Sequence, residues 1–370
     1  MKVIRTFIAS LLVTLYACQT TNMTTDKVNV DLDYKGNEAM ARLFEISEIA
    51  PIDSSEYLLS DVSHVKTVNN RLYILDYIQK RILLLNPLNN ALSIVVDKKG
   101  MAQYEYVGID GFAVAHNGDI YVLDGNSKKV VVYNADGKFK RVIRDVDGSS
   151  VAVNGKGQIG LHCLSNGGDV NVEILSSEGK AERTIENNAD YMGHSMVNGN
   201  EIVAVGNDFY YCNPFDFKVY KVSDKSEGPI IEFDFGKYQS DIDKIRKVKT
   251  KDFPKYLLKD NSITNIEQIS AYKDYLFFST SRMDQIVYDM KKRKAVCLSH
   301  LPHPYDFLFL SPLTVDEEGN YYIFVRGSNI KNALLPYLEY KKEGLEGCRS
   351  ALKYKDSKAQ YWLLKGKIKL

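Results

Sequence analysis

The chain has 370 residues, 48 of them basic and 47 acidic, for a net charge of +1. That balance excludes the basic surface on which nucleic-acid binding depends, and an apolar fraction of 45% excludes a disordered chain. Twenty-five tyrosines and fifteen phenylalanines favour strands, because flat and branched side chains pack well on a pleated surface.

Lys2 and Arg5 form a short positive region ahead of an apolar run from Thr6 to Ala17. That run is too short to span a bilayer but suits a secretory signal. It ends in Leu15-Tyr16-Ala17-Cys18, which resembles the lipobox of a bacterial lipoprotein. In a lipobox a small residue precedes the cut and the cysteine thiol carries the lipid. Tyr16 is bulkier than the residue usual at its position. The resemblance implies a signal peptide over residues 1–18, lipidation at Cys18 and a place in the cell envelope, anchored to the outer membrane. The anchored domain faces the periplasm or the exterior. Residues 19–42 are polar, rich in Thr, Asn and Asp, and read as a flexible tether. The lipid alone supplies the membrane attachment, with no amphipathic helix required.

Residues 43–370 read as one all-β domain. Leu43–Pro51 alternates in part and has no neighbouring strand in sequence. From Val65 to Val96 four strands follow, with turns at Asn69-Asn70 and Tyr77–Lys80. The plan repeats at Gly111–Ala115, Ile120–Leu123, Val130–Tyr133 and Phe139–Ile143, where Gly118 and Gly137 sit in the turns. Aligned on the second strand, the unit recurs at Arg71–Asp76, Asp119–Asp124, Gln158–Cys163, Glu201–Gly206, Asp274–Ser279 and Asn320–Val325. Most of these anchors lie about 40–48 residues apart, the range of four-stranded propeller blades. Two helical insertions interrupt the pattern, one within Gly236–Asp260 around Ile242, Ile245 and Val248, the other at Asn332–Lys342 around Pro336. Tyr361–Lys369 is a closing strand. The expected fold is a six-bladed β-propeller of four-stranded antiparallel blades, with short helical insertions. Leu43–Pro51 pairs beside Tyr361–Lys369 to close the ring, since an open propeller leaves two sheet edges unpaired.

Two motifs support a resemblance. Tyr121–Asp124 is followed by a turn at Tyr133–Gly137, and Gly100-Met101-Ala102-Gln103-Tyr104 precedes Asp110-Gly111-Phe112. These resemble the six-bladed propeller lipoproteins of Bacteroidetes-type bacteria, related to the TolB-like and NHL-like propellers. That group usually carries Pro and Gly where this chain has Met101 and Ala102. The resemblance implies architecture and export and assigns no activity.

No catalytic constellation stands out. Asp76 and Asp124 end matching second strands; either can hold a turn or line the mouth of the channel. His162-Cys163 and His300-Leu-Pro-His303 are local pairs of metal-ligand type, but no carboxylate set completes either. Calcium in the channel is the one cofactor considered, although no Asp-x-Asp-x-Asp-Gly loop occurs. Gly193–Val197 lacks the final glycine of a nucleophile elbow. Lys237–Asp260 carries eight Lys/Arg against four Asp, spread around the segment as on a solvated helix. Arg282, Arg326 and Trp362 are of types that favour anion and sugar recognition. Cys163, Cys212, Cys297 and Cys348 are widely spaced and read as buried thiols. The site candidates are Asp76, Asp124, His162, Arg282 and Arg326. The sequence favours a binding module for a protein, peptide or glycan over a lyase or hydrolase acting on a polysaccharide or lactone.

Overall fold

The computed structural model describes residues 24–33, 44–54, 56–163, 170–186, 202–245, 247–248, 252, 262–282, 284–297, 313–340 and 346–369. Their strands form six four-stranded antiparallel blades arranged in a ring. The first blade is His64–Val68, Arg71–Asp76, Arg81–Asn86 and Ala91–Val96, from the axis outward. The second is Gly111–Val114, Ile120–Asp124, Lys129–Tyr133 and Phe139–Arg144, and the third Ser150–Val153, Ile159–His162, Val170–Leu175 and Ala181–Glu186. The fourth runs Ile202–Val205, Asp208–Cys212, Lys218–Val222 and Glu227–Asp234, and the fifth Ile266–Tyr272, Tyr275–Thr280, Gln285–Asp289 and Lys294–Cys297. In the sixth, Leu313–Val315, Asn320–Arg326 and Tyr361–Ile368 are followed by Phe44–Pro51 as the outermost strand, antiparallel to Tyr361–Ile368.

Stacking of the blades explains the residue pattern. Second and third strands are covered on both faces, so Ile120–Asp124 and Lys129–Tyr133 are buried throughout. Outer strands such as Phe139–Arg144 are covered on one side and keep polar residues outward. Each neighbouring pair of blades shares an apolar core. Tyr73, Leu75, Phe112 and Val122 join the first blade to the second, and Leu72, Ile74, Tyr322 and Phe324 join the first to the sixth. Gly137, at φ 73°, lies where a Cβ would stand 1.8 Å from the Val95 carbonyl, so the second blade's outer turn nests against the first blade only as glycine.

Two expectations are corrected. Glu201–Gly206 does not supply the fourth blade's second strand: Ile202–Val205 is its innermost strand, and Asp208–Cys212 is the second. Both are apolar runs flanking the tight Gly206-Asn207 turn, so the pattern alone does not say which side of the hairpin faces the axis. The helical insertion in the sixth blade begins at Gly327 rather than Asn332 and runs to Tyr340. Its Ile330–Leu334 turn is a π-helix, a wider coil that accommodates the missing N–H of Pro336. A further helical stretch, Glu346–Tyr354, packs on the same blade through Cys348 and Ala351. Ser350 Oγ accepts the Ile49 N–H at 2.7 Å, tying that insertion to the Phe44–Pro51 strand.

Within the polar segment ahead of the domain, Asp26–Asn29 runs parallel to Glu227–Asp234 as a fifth strand on the fourth blade. Val28, Val30 and Leu32 are buried there with Ile231 and Phe233. Asp26 receives the Tyr288 hydroxyl at 3.0 Å, and Asp33 pairs with Lys237 at 2.7 Å. The period of two hidden in Val28-Asn29-Val30-Asp31-Leu32 explains why this stretch docks while its neighbours are polar on both sides.

Candidate functional site

The six innermost strands enclose a cavity of about 480 Å³ on the ring axis. That lies within the usual size of a ligand pocket, about 300–1,000 Å³. Its wall mixes aliphatic residues such as Val65, Val114, Val153, Val203, Ala204 and Ala271 with polar ones such as Lys66, Thr67, Asn154, Ser270 and Thr314. The cavity reaches the end of the ring formed by the turns between first and second strands, where His116, Gly155, Gly206, Lys273 and Glu317 complete its lining.

Hydrogen bonds between neighbouring turns hold this rim. Asn69 Nδ2 donates to the His116 carbonyl at 2.9 Å, and Asn70 Nδ2 to Glu318 Oε1 at 3.0 Å. Asn154 Nδ2 donates to the Asn207 carbonyl at 2.9 Å, and Gly155 N to the Gly206 carbonyl at 2.7 Å. His116 Nδ1 lies 3.4 Å from Glu317 Oε1, with both side chains mostly exposed. Deeper in, Thr67 Oγ1 donates to the Val315 carbonyl at 2.9 Å, stitching the first blade to the sixth.

One wall strand is irregular. In the fifth blade Glu267 pairs with Ser279 but Ser270 with Phe277, so one extra residue is accommodated as a β-bulge. Gln268 sits in the bulge at φ 52°, a left-handed conformation that costs a residue with a Cβ about 1–2 kcal/mol. The other positive-φ residue of this strand pair, Lys273, belongs to an ordinary hairpin turn. Gln268, Ile269 and Ser270 all line the cavity.

The residues singled out from sequence lie elsewhere, none of the five among the cavity's lining. Asp76 is wholly buried and accepts the N–H groups of Ser60 at 3.0 Å and Gln79 at 3.2 Å, with Arg81 at 3.5 Å. Asp124 is likewise buried and accepts Val107 N–H at 2.8 Å and Ser127 N–H at 3.2 Å. Each carboxylate thus ties the segment entering its blade to the turn after its second strand. His162 is fully buried, with Nε2 3.2 Å from Asn213 Oδ1 and no partner at Nδ1. Burial lowers its pKa to about 4, against the opposing pull of Asn213, so the ring is neutral. Arg282 lies 4.4 Å over the Tyr238 ring and 3.4 Å from Asp284. Arg326 is exposed, 5.9 Å from the centre of the Tyr361 ring.

Trp362 is buried in the sixth blade's core. The four cysteines named above are free and buried, and burial pushes the Cys163 and Cys348 thiols up to about 12. Among the described residues no group of three His, Cys, Asp or Glu side chains converges as a cation site. His300, His303, Gly193–Val197, Pro254 and Cys18 lie outside the described residues.

Sequence reasoning missed Gln268 and the rim pair His116–Glu317. A signal for the first was present. Ile266, Ile269 and Tyr272 are the strand's buried residues, spaced by three where a regular strand spaces by two.

Ring and cavity together define the class, a six-bladed propeller with an axial pocket of mixed polar and aliphatic lining. The chain belongs to the family described as a domain of unknown function, DUF4934, whose model matches residues 53–356. It is similar to a Bacteroides fragilis protein described as exported, at 17% identity and a TM-score of 0.71, over 94% of this chain and 100% of that one. A DUF4221 family member from Bacteroides vulgatus matches at 11% identity and a TM-score of 0.50, over 88% of this chain and 97% of the other. At such identities the likeness concerns the fold alone. No curated protein matches the chain. No helix among the described residues is long and apolar enough to cross a membrane.

Proposed function

We propose that this protein is a binding module of the TolB-like or NHL-like propeller type, exported and held at the outer membrane by a lipid on Cys18. It receives part of a protein, peptide or glycan partner in the axial cavity. The observation that carries this reading is the cavity itself: about 480 Å³, lined by aliphatic and polar residues in similar measure. Of the ionisable groups lining it, His116 and Glu317 pair with each other at the exposed rim, and Asp316 is already occupied by Tyr322, Asn320 and two backbone N–H groups. This is a lining suited to holding a partner rather than transferring protons. In the same reading the Phe44–Pro51 strand closes the ring.

The test is retention. Purified protein is mixed with peptide and oligosaccharide pools, and the bound fraction is identified by mass spectrometry. The reading expects unchanged molecules retained by the native chain and held less tightly by an Ala204→Leu variant whose larger side chain narrows the cavity. Recovery of cleaved or eliminated products would instead favour a polysaccharide- or lactone-directed lyase or hydrolase. For the anchor, Cys18→Ser should move the protein from the detergent to the aqueous phase on cloud-point partition.

A further inference from the structure

The segment docked on the fourth blade has a direction, and side-chain contacts mark its two ends. At its start, Asp26 pairs with Arg293, in the turn between the third and fourth strands of the fifth blade. That turn is fastened to the cavity's rim: Lys291 lies 2.6 Å from Asp274, beside Lys273 of the cavity's lining. Thr25 Oγ1 donates to the Pro229 carbonyl at 3.0 Å, near the start of Glu227–Asp234. Just ahead of that strand, Asp224 pairs with Lys156 of the third blade's rim turn. At its finish, Asp33 meets Lys237 and Tyr238, and Tyr238 lies against Arg282, in the loop after the fifth blade's second strand. The segment therefore runs from the end of the ring where the cavity opens to the end that Asp76 and Asp124 fasten.

Chain length then limits where a lipid on Cys18 can sit. Cys18 stands six residues before Thr24, a reach of at most about 21 Å. From Thr24 that length extends past the open end. To meet the far end the chain would have to double back along residues 26–33, roughly 20 Å, with nothing to spare. Exposed Leu58, Tyr77 and Ile78 make the far end an apolar candidate for the leaflet, but the anchor's reach sets them away from it.

We infer that the docked segment stands the ring with its cavity mouth toward the leaflet that holds the lipid. The rim turns meet the lipid surface, the far end faces away, and a partner of the cavity is met at the membrane. This goes beyond the binding reading and rests on the Cys18 anchor proposed with it.

The experiment uses the lipidated full chain in phosphatidylcholine vesicles whose headgroups carry an acceptor dye. A donor dye is placed on Leu88→Cys or on Ile78→Cys, exposed positions in turns at opposite ends of the first blade. Cys163, Cys212, Cys297 and Cys348 are buried, so the introduced thiol takes the dye. The labels differ in height by about the length of Arg81–Asn86, roughly 20 Å. Thermal melting checks that each variant folds as the native chain does. The expected result is stronger energy transfer from Leu88→Cys than from Ile78→Cys. Inserting about twenty Gly and Ser residues between Cys18 and Thr24 should abolish that difference. Equal transfer at the two positions, or stronger transfer from Ile78→Cys, overturns the inference while the anchor stands. A difference that survives the insertion overturns it too, since the docked segment would not be what orients the ring. A native chain that fails to float with the vesicles defeats the anchor, and the inference with it.

Discussion

The second and fifth blades are built on one plan and differ where they meet the axis. In the second, Gly111–Val114 pairs residue for residue with Ile120–Leu123, and buried Asp124 fastens the strand end to the loop before it. In the fifth, Ile266–Tyr272 slips by one residue against Tyr275–Thr280, with Gln268 at the slip and in the cavity's lining. The regular blade keeps its inner strand pair in unbroken register, and the irregular one keeps a left-handed residue in the cavity's lining. Regularity here marks scaffold; the departure from it marks the surface available for recognition.

The comparison can be broken at its scaffold end first. Asp124→Ala removes a buried carboxylate and leaves the Val107 and Ser127 N–H groups without their acceptor. At about 1.5–3 kcal/mol for a hydrogen bond to a charged group, the expected loss is about 3–4 kcal/mol in urea unfolding. A loss below about 1 kcal/mol would remove Asp124 from the scaffold and reopen it as a ligand residue.

His162 extends the comparison to the third blade. Its carbonyl accepts the Ser149 N–H as the Leu75 and Leu123 carbonyls accept those of Ser63 and Asp110, so it occupies a leucine's place. Its folded pKa of about 4 lies below the ordinary 6.5. Between those values the unfolded chain binds the proton and the folded chain does not, so stability falls as pH drops from about 6.5 toward about 4. The cost over that window is on the order of 2–3 kcal/mol. His162→Leu should flatten this part of the stability profile, at some expense at neutral pH from the stranded Asn213. An unchanged acid slope would show that the imidazole is protonated in the fold.

At the cavity end the two blades should respond to glycine with opposite signs. Ala113→Gly, in the second blade's regular inner strand, is expected to cost about 1 kcal/mol. Gln268→Gly relieves a left-handed backbone and is expected to gain about 1 kcal/mol. Paired thermal melts read both, and a loss at both positions would mean that the bulge carries no strain. The smallest effect belongs to the exposed His116–Glu317 pair. His116→Ala should change stability by less than about 0.5 kcal/mol, because solvent screens a pair whose side chains are 70% and 63% exposed.

Much of the ring was legible because tight turns punctuate it and doubly covered strands write near-continuous apolar runs, as in Ile120–Asp124. The Phe44–Pro51 strand was visible through its lack of a sequence neighbour. The fourth blade misled because Ile202–Val205 and Asp208–Cys212 flank a single Gly-Asn turn, and either could have been the inner strand. The candidate site was hardly legible. Asp76 and Asp124 recur at matching positions because a turn needs them, and recurrence drew attention to scaffold. Gln268 has no chemical signature; only the spacing of Ile266, Ile269 and Tyr272 betrays the bulge. A cavity on a symmetry axis is assembled from residues some 40 positions apart, and no local pattern announces it.

The most direct test is a crystal structure of the native chain with a molecule retained from the peptide and oligosaccharide pools bound. The account predicts that molecule in the axial cavity, against Val153 and Ala204. A molecule bound instead at the opposite end of the ring, against the loops that Asp76 and Asp124 fasten, would contradict it.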